Sequence, residues 1–158
     1  MHETALKFKE QVLEEYEFEI DVHKFPEGTK TAKGAAKAIG CNVSQIGKNI
    51  VMKVEDDLVV VITSGSNRVS EKKLANIFNV SDSNVRTANP NEIKEKTGWS
   101  IGGVPPFCHK EKIKVLLDEK LTEFEEVWTA AGTPNTVFPI SPQKLIEFSN
   151  AEVADIGK

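Results

Sequence analysis

One lysine, two glycine-bearing loops and a strand-end carboxylate are the residues of this chain whose types and spacing can do chemistry. Lys48 stands in Gln-Ile-Gly-Lys-Asn-Ile-Val, between an expected helix end and the first strand of an expected hairpin. An ammonium at such a boundary can meet a phosphate or a carboxylate, although most exposed lysines do nothing specific. The segment Gly98 to Phe107 holds Gly102-Gly103, where backbone can approach a ligand closely, followed by Pro105-Pro106, which keep the chain extended. Stiff apolar loops of this kind line pockets or cover a core, and the residues alone leave both readings open. A second loop, Ala130 to Asn135 around Gly132, can offer backbone groups to a small ligand. Asp118, at the end of an expected strand, is placed either for polar work or for capping the next turn.

Several familiar chemistries are missing. Ser64 and Ser66 lack a nucleophile elbow and an ordered triad, which argues against classical serine hydrolysis. Neither phosphate-binding glycine fingerprint is present, so no nucleotide cofactor is expected. His2, His23 and His109 are scattered without a ligand pattern, and no metal is expected. His109 reads more simply as a loop-packing histidine than as a substrate contact. Cys41 and Cys108 form no Cys-x-x-Cys pair and read as free thiols.

The elements that must carry these residues follow from patterning. Residues 4 to 16 show the helical period of an amphipathic first helix, and Glu19 to Phe25 read as a strand ending at a Pro26-Glu27-Gly28 turn. Thr31 is placed to cap a helix from Ala32 to Ile39, closed by Gly40. Asn49–Val54 and Leu58–Thr63 read as a hairpin, Ser70 caps Glu71–Phe78, and Pro90 opens a short helix through Glu95. Ile113–Leu117, Val127–Ala130 and Thr136–Ile140 read as strands before a last helix, capped by Ser141-Pro142, that ends at Phe148. Several neighbouring strands are joined by links too short for a parallel crossover. The expected fold is therefore α/β in the mixed α+β sense, one compact domain over 1–158 with residues 1–19 as an N-terminal helix.

Composition narrows the partners. With 39% hydrophobic and 28% charged residues the chain is that of an ordinary globular protein. Its longest aliphatic run, Leu58 to Ile62, falls far short of the roughly 18 apolar residues of a membrane helix. The N-terminal stretch does not read as a secretory signal, so no membrane partner and a cytoplasmic location are expected. The net charge of −4 conceals a partition: residues 28–54 carry five lysines and no acid, while both flanking stretches are acidic. Lys30, Lys33, Lys37, Lys48 and Lys53 thus form one local strip on which phosphates can land.

Taken in order, Thr31-x-x-x-Ala35-Ala36 with Ile39-Gly40, Gln45-Ile46-x-Lys48, Val59 to Ile62 ending at Gly65, Thr97-Gly98-x-x-x-Gly102-Gly103-Val104-x-Pro106-Phe107, Asp118 and Ala131-Gly132 resemble the YbaK/prolyl-tRNA synthetase-associated editing domain family. The resemblance runs from about residue 20 to residue 156. It implies a mixed sheet of barrel-like form flanked by helices, and a trans-acting deacylase that hydrolyses the ester of a misacylated tRNA, with tRNA-Pro among the candidates. It implies Lys48 as the catalytic residue, holding the acceptor end or the reacting ester. It also implies a substrate-binding set of Thr31, Ser64, Gly102, Gly103, Val104, Pro105, Asp118 and Gly132. Catalysis in the family is thought to be partly substrate-assisted, in keeping with the missing triad, and a synthetase is a further possible partner. Two departures bear on specificity: Cys108 stands where many relatives have glycine, and Pro134-Asn135 stand where some carry histidine or arginine. A non-catalytic module binding tRNA or a synthetase is the competing reading, and a small-molecule binder without RNA is a third that leaves the lysine strip unexplained.

Overall fold

The structure is a computed structural model that describes residues 3–25 and 31–158. In chain order it comprises α1 (Glu3–Tyr16), β1 (His23–Lys24), α2 (Ala32–Ile39), β2 (Ile46–Val54), β3 (Asp57–Ser64), α3 (Glu71–Phe78), β4 (Val85–Thr87), α4 (Pro90–Thr97), β5 (Lys114–Asp118), β6 (Val127–Ala130), β7 (Thr136–Ile140), α5 (Pro142–Ser149) and β8 (Glu152–Ala154). Helix starts follow side-chain caps. Thr31, Ser70, Asn89 and Ser141 each accept from a backbone N–H in the first turn, and Pro90 and Pro142 occupy first-turn positions where a missing N–H costs nothing. Gly40 and Gly98 close α2 and α4 in the left-handed conformation, at φ of 87° and 83°.

One mixed sheet runs β1-β7-β6-β2-β3-β5-β8, with β4 joined to β2. The short links make the antiparallel pairs β2/β3 and β6/β7, while β3/β5, β5/β8 and β2/β6 are parallel. Strand alternation loads both faces. Val60, Ile62, Val115 and Leu117 face the larger core with Phe8, Val12, Trp99, Phe107 and Phe138, whereas Val59, Val61 and Leu116 face a smaller one with Leu74 and Ala75 of α3. The central strand β3 is thus buried on both sides, as its unbroken run of Val and Ile predicts.

Several expectations need correction. Of the strand expected over Glu19 to Phe25, only His23 and Lys24 pair, with Val137 and Thr136; the expected turn at Pro26 to Gly28 lies outside the described residues. The first hairpin strand begins at Ile46 rather than Asn49, because Gly47 and Lys48 already pair with Ser64 and Thr63. Lys48 therefore sits inside β2, not in a link before it. The helix from Pro90 runs on to Thr97, whose hydroxyl bonds back to the Ile93 carbonyl at 2.7 Å. β4 and β8 were not anticipated; each is a three-residue strand added to a longer one.

Candidate active site

A cleft of about 610 Å³ opens where the N-terminus of α2, the middle of β2, the loop after β3, the loop Ile101–Val104 and the β6–β7 turn converge. Its floor is β2, and the reason lies in that strand's pairing. On one side β2 bonds to β3 along its length; on the other, Ile46 and Gly47 pair with β6, and Met52 to Val54 pair with β4. Between those two partners the edge is open. Ile46 turns its carbonyl to Gly65 on the β3 side, and Val51 turns its carbonyl to Ala88 on the other. By strand alternation the backbone groups of Asn49 face the same way as those of Val51, into the open stretch.

Two side chains on this floor are chemically informative. Lys48 lines the cleft and donates from Nζ to the Asn67 carbonyl at 2.7 Å. Burial pushes its ammonium below the ordinary lysine range, the neighbouring Arg68 pushes the same way, and Asp118 opposes both. Asn49 donates both Nδ2 hydrogens, to the Val104 carbonyl at 2.9 Å and to Thr129 Oγ1 at 2.8 Å. Its Oδ1 is buried and has no hydrogen-bond partner among the described residues. A buried amide oxygen without a donor is costly, and this one belongs to a residue of the cleft lining.

The substrate-binding residues expected from sequence divide into two groups. Thr31, Gly102 and Val104 line the cleft together with Lys48. Thr31 also accepts from Gly34 N at 3.0 Å as the cap of α2, which leaves its hydroxyl hydrogen free to turn to the cleft. Ser64, Gly103, Pro105, Asp118 and Gly132 lie behind the wall. Ser64 Oγ bonds the Ser44 carbonyl at 2.8 Å, and the Pro105 carbonyl accepts from His109 Nε2 at 2.7 Å. A Cβ on Gly103 would stand 2.6 Å from Thr133 Cα, and one on Gly132, at φ 99°, would stand 2.9 Å from the Trp99 ring. These two glycines therefore bring the Gly102–Val104 loop and the β6–β7 turn into backbone contact, which lets Gly102, Val104 and Pro134 form one wall. Asp118, almost wholly buried, accepts from Ser64 N, Asn67 Nδ2 and Lys120 N.

Sequence reasoning passed over Asn49, Asn67, Arg68 and Thr129. Only Asn49 carried a signal: an amide inside the apolar run Ile-Val-Met of a strand is disfavoured unless something holds it. Neither cysteine is poised as a nucleophile, since burial raises the Cys41 thiol and carries that of Cys108 up to about 12. Among the described residues, no group of three His, Cys, Asp or Glu side chains gathers in a metal-binding arrangement.

A family model for the aminoacyl-tRNA editing domain matches residues 26–148, a span that includes every lining residue of this cleft except Phe25. The chain belongs to that family. Among relatives of this editing domain, the uncharacterized protein YwhH of Bacillus subtilis is 34% identical over 136 residues, covering 85% of both chains. A proline-tRNA ligase of Lactobacillus gasseri is 32% identical over 135 residues, which are 83% of the editing domain but only 24% of the ligase. In three dimensions it is similar to the crystal structure of a candidate trans-editing enzyme for prolyl tRNA synthetase, with a TM-score of 0.91, 36% identity, and coverage of 100% of this chain and 99% of that one. No helix among the described residues is long and apolar enough to cross a membrane.

Proposed function

We propose that the chain is a trans-editing deacylase that hydrolyses the ester between a wrong amino acid and the terminal adenosine of a tRNA, with tRNA-Pro the first candidate. The observation that carries this reading is a half-buried cation, Lys48, next to Asn49 on the lining of one cleft in a chain of the editing family. An aminoacyl ester offers a matching group, a carbonyl or nearby phosphate to meet the Lys48 ammonium. Water attacks the ester carbonyl, the negative charge on its oxygen is met by Lys48 and by the open-edge N–H of Asn49, and the ribose hydroxyl leaves with a proton. The products are the free amino acid and uncharged tRNA. No protein nucleophile is required, which agrees with two raised thiols and with a Ser64 hydroxyl bonded into the wall.

The landing surface for the acceptor end is the α2 side of the cleft, where Lys33 joins Lys48 and Arg68 on the lining. Thr31, Gly102 and Val104 contact the substrate directly in this scheme. Gly103, Pro105 and Gly132 shape the pocket from behind, and Ser64 and Asp118 support its floor. A synthetase partner would help to hold tRNA against a chain of net charge −4.

The test is single-turnover hydrolysis of tRNA-Pro misacylated with alanine, cysteine, serine or threonine, by the wild type and by Lys48→Ala. The wild type is expected to clear at least one ester, and Lys48→Ala to do so at least about 100-fold more slowly with unchanged thermal stability. Salt-sensitive tRNA binding without turnover on any misacylated tRNA would instead establish a binding module.

A further inference from the structure

We propose that Asp118 is a positioning residue for Lys48, acting through Asn67 and the loop Gly65–Ser70 rather than by touching substrate. The proposal rests on the role given to Lys48 above. A lysine stem has four rotatable carbons, so an ammonium works at a fixed point only where something holds it. Here the hold is the carbonyl of Asn67, 2.7 Å from Lys48 Nζ, and the ammonium is placed only as well as that carbonyl is placed.

Three contacts fix Asn67. Its N–H bonds the Ser64 carbonyl at 2.9 Å, and its side-chain Nδ2 donates to Asp118 Oδ2 at 2.9 Å. Its amide is also pressed by the backbone of Gly157, where a Cβ would come within 2.7 Å of Asn67 Nδ2. Asp118 itself sits at the end of β5, which is paired on both sides, to β3 and to β8. Its second oxygen accepts from Lys120 N at 3.0 Å, so the carboxylate is met by three N–H donors and, among the described residues, forms no ion pair. A buried carboxylate without an ion partner keeps its field, and the nearby ammonium of Lys48 is stabilised by it.

The far side of the same loop is strapped by the C-terminal segment. Ser70 N bonds the Ile156 carbonyl at 2.7 Å, Lys158 N bonds the Arg68 carbonyl at 2.9 Å, and Val69 bridges Gly157. Asp118 and Gly157 thus clamp Asn67 between them, and of the three only Asn67 lines the cleft.

The experiment compares the whole chain with Asp118→Asn, Asn67→Ala and Gly157→Ala, after checking each fold by circular dichroism. Two readouts are taken: the titration of the Lys48 ammonium by NMR of labelled lysine, and single-turnover deacylation beside tRNA affinity. The charged groups around Lys48 are Arg68 on the loop, Asp118 at the end of β5 and Lys33 across the cleft. Asp118→Asn removes the one that favours the ammonium, so Lys48 is expected to titrate at lower pH. The rate at saturation is expected to fall about 10- to 100-fold with tRNA affinity within about twofold. Gly157→Ala keeps the carboxylate but drives Asn67 off it, and is expected to lower the rate by about 10-fold. A folded Asp118→Asn chain with unchanged Lys48 titration overturns the proposal, whatever its activity. If that variant does not fold, wild-type rates in both Asn67→Ala and Gly157→Ala overturn it. Failure of the wild type on every misacylated tRNA would sink the deacylase reading, while the Lys48 titration still decides the positioning.

Discussion

Gly103 shows at residue scale how a residue can shape a cleft it does not line. Its Cα lies against the backbone of Thr133, and a Cβ there would stand 2.6 Å from Thr133 Cα and 2.9 Å from the Gly132 carbonyl oxygen. Backbone cannot swing aside as a side-chain tip can. Gly103→Val is therefore expected to destabilise the chain by about 1–3 kcal/mol and to separate the two loops. Denaturant unfolding and deacylation of the preferred ester would check this; an unchanged midpoint with unchanged activity would show that the loops part without consequence. The importance of this glycine was legible in the Gly-Gly-Val-Pro-Pro-Phe spacing, but its partner was not, because Thr133 is distant in sequence. Lys48 came forward for a different reason: its short motif and lysine strip alone left it an ordinary surface lysine, and the family resemblance singled it out; the structure puts it on the cleft lining. Asn67 could not be found in that way, since it meets Lys48 through a backbone carbonyl that any residue would supply.

Among the elements, the loop from Gly98 to the start of β5 is held by three dissimilar fastenings. Trp99 Nε1 bonds the Cys108 carbonyl at 3.0 Å, Lys110 N bonds the Thr97 carbonyl, and His109 Nε2 donates to the Pro105 carbonyl. Burial holds the His109 imidazole below its ordinary value of 6.5, against a smaller opposing pull from the Pro105 carbonyl. The folded chain thus takes up this proton less readily than the unfolded one. The stability tied to His109 is complete above pH 6.5 and is lost as pH falls from there toward the lower folded value. Thermal melts from pH 7.5 to 5 are expected to show a decline in the wild type that is shallower in His109→Gln, and parallel curves would rule this fastening out. Cys108 sits in this loop at φ 65°, in the left-handed region where glycine is favoured. Element types and order were readable from caps and periodicity. β4 and β8 were not, because three-residue strands exist only through the strand beside them, and the start of β2 was misplaced because Gly47 and Lys48 are held in it by pairing with Ser64 and Thr63, which their own residue types do not signal.

For the whole molecule, α1 is the telling part, for it precedes the residues matched by the family model and yet enters the main core. Phe8 is fully buried and meets the rings of Trp99, Phe107 and Phe138 at 5.7, 5.6 and 5.5 Å. Trp99 and Phe107 flank the cleft-wall loop, so α1 braces the site from behind. Phe8→Ala is expected to cost about 3–5 kcal/mol, read as a lower urea midpoint at constant slope. A cost under about 1 kcal/mol would show that the core closes without this ring. Sequence patterning foresaw an amphipathic helix here but not that it supports the loop, since nothing local links Phe8 to Trp99.

The bridge between Val69 and Gly157 joins positions more than half the chain apart. Contacts of such separation cost chain entropy before they return any binding energy, so they form after local hairpins and helices are in place. The β2–β3 hairpin, which carries Lys48, is by contrast an early and local structure. On this order of events the lysine is present from the start of folding but is aimed only at its close, once β8 has joined β5. A partly folded chain, or one still being synthesised, therefore has the lysine before it has the strapped loop whose carbonyl meets it.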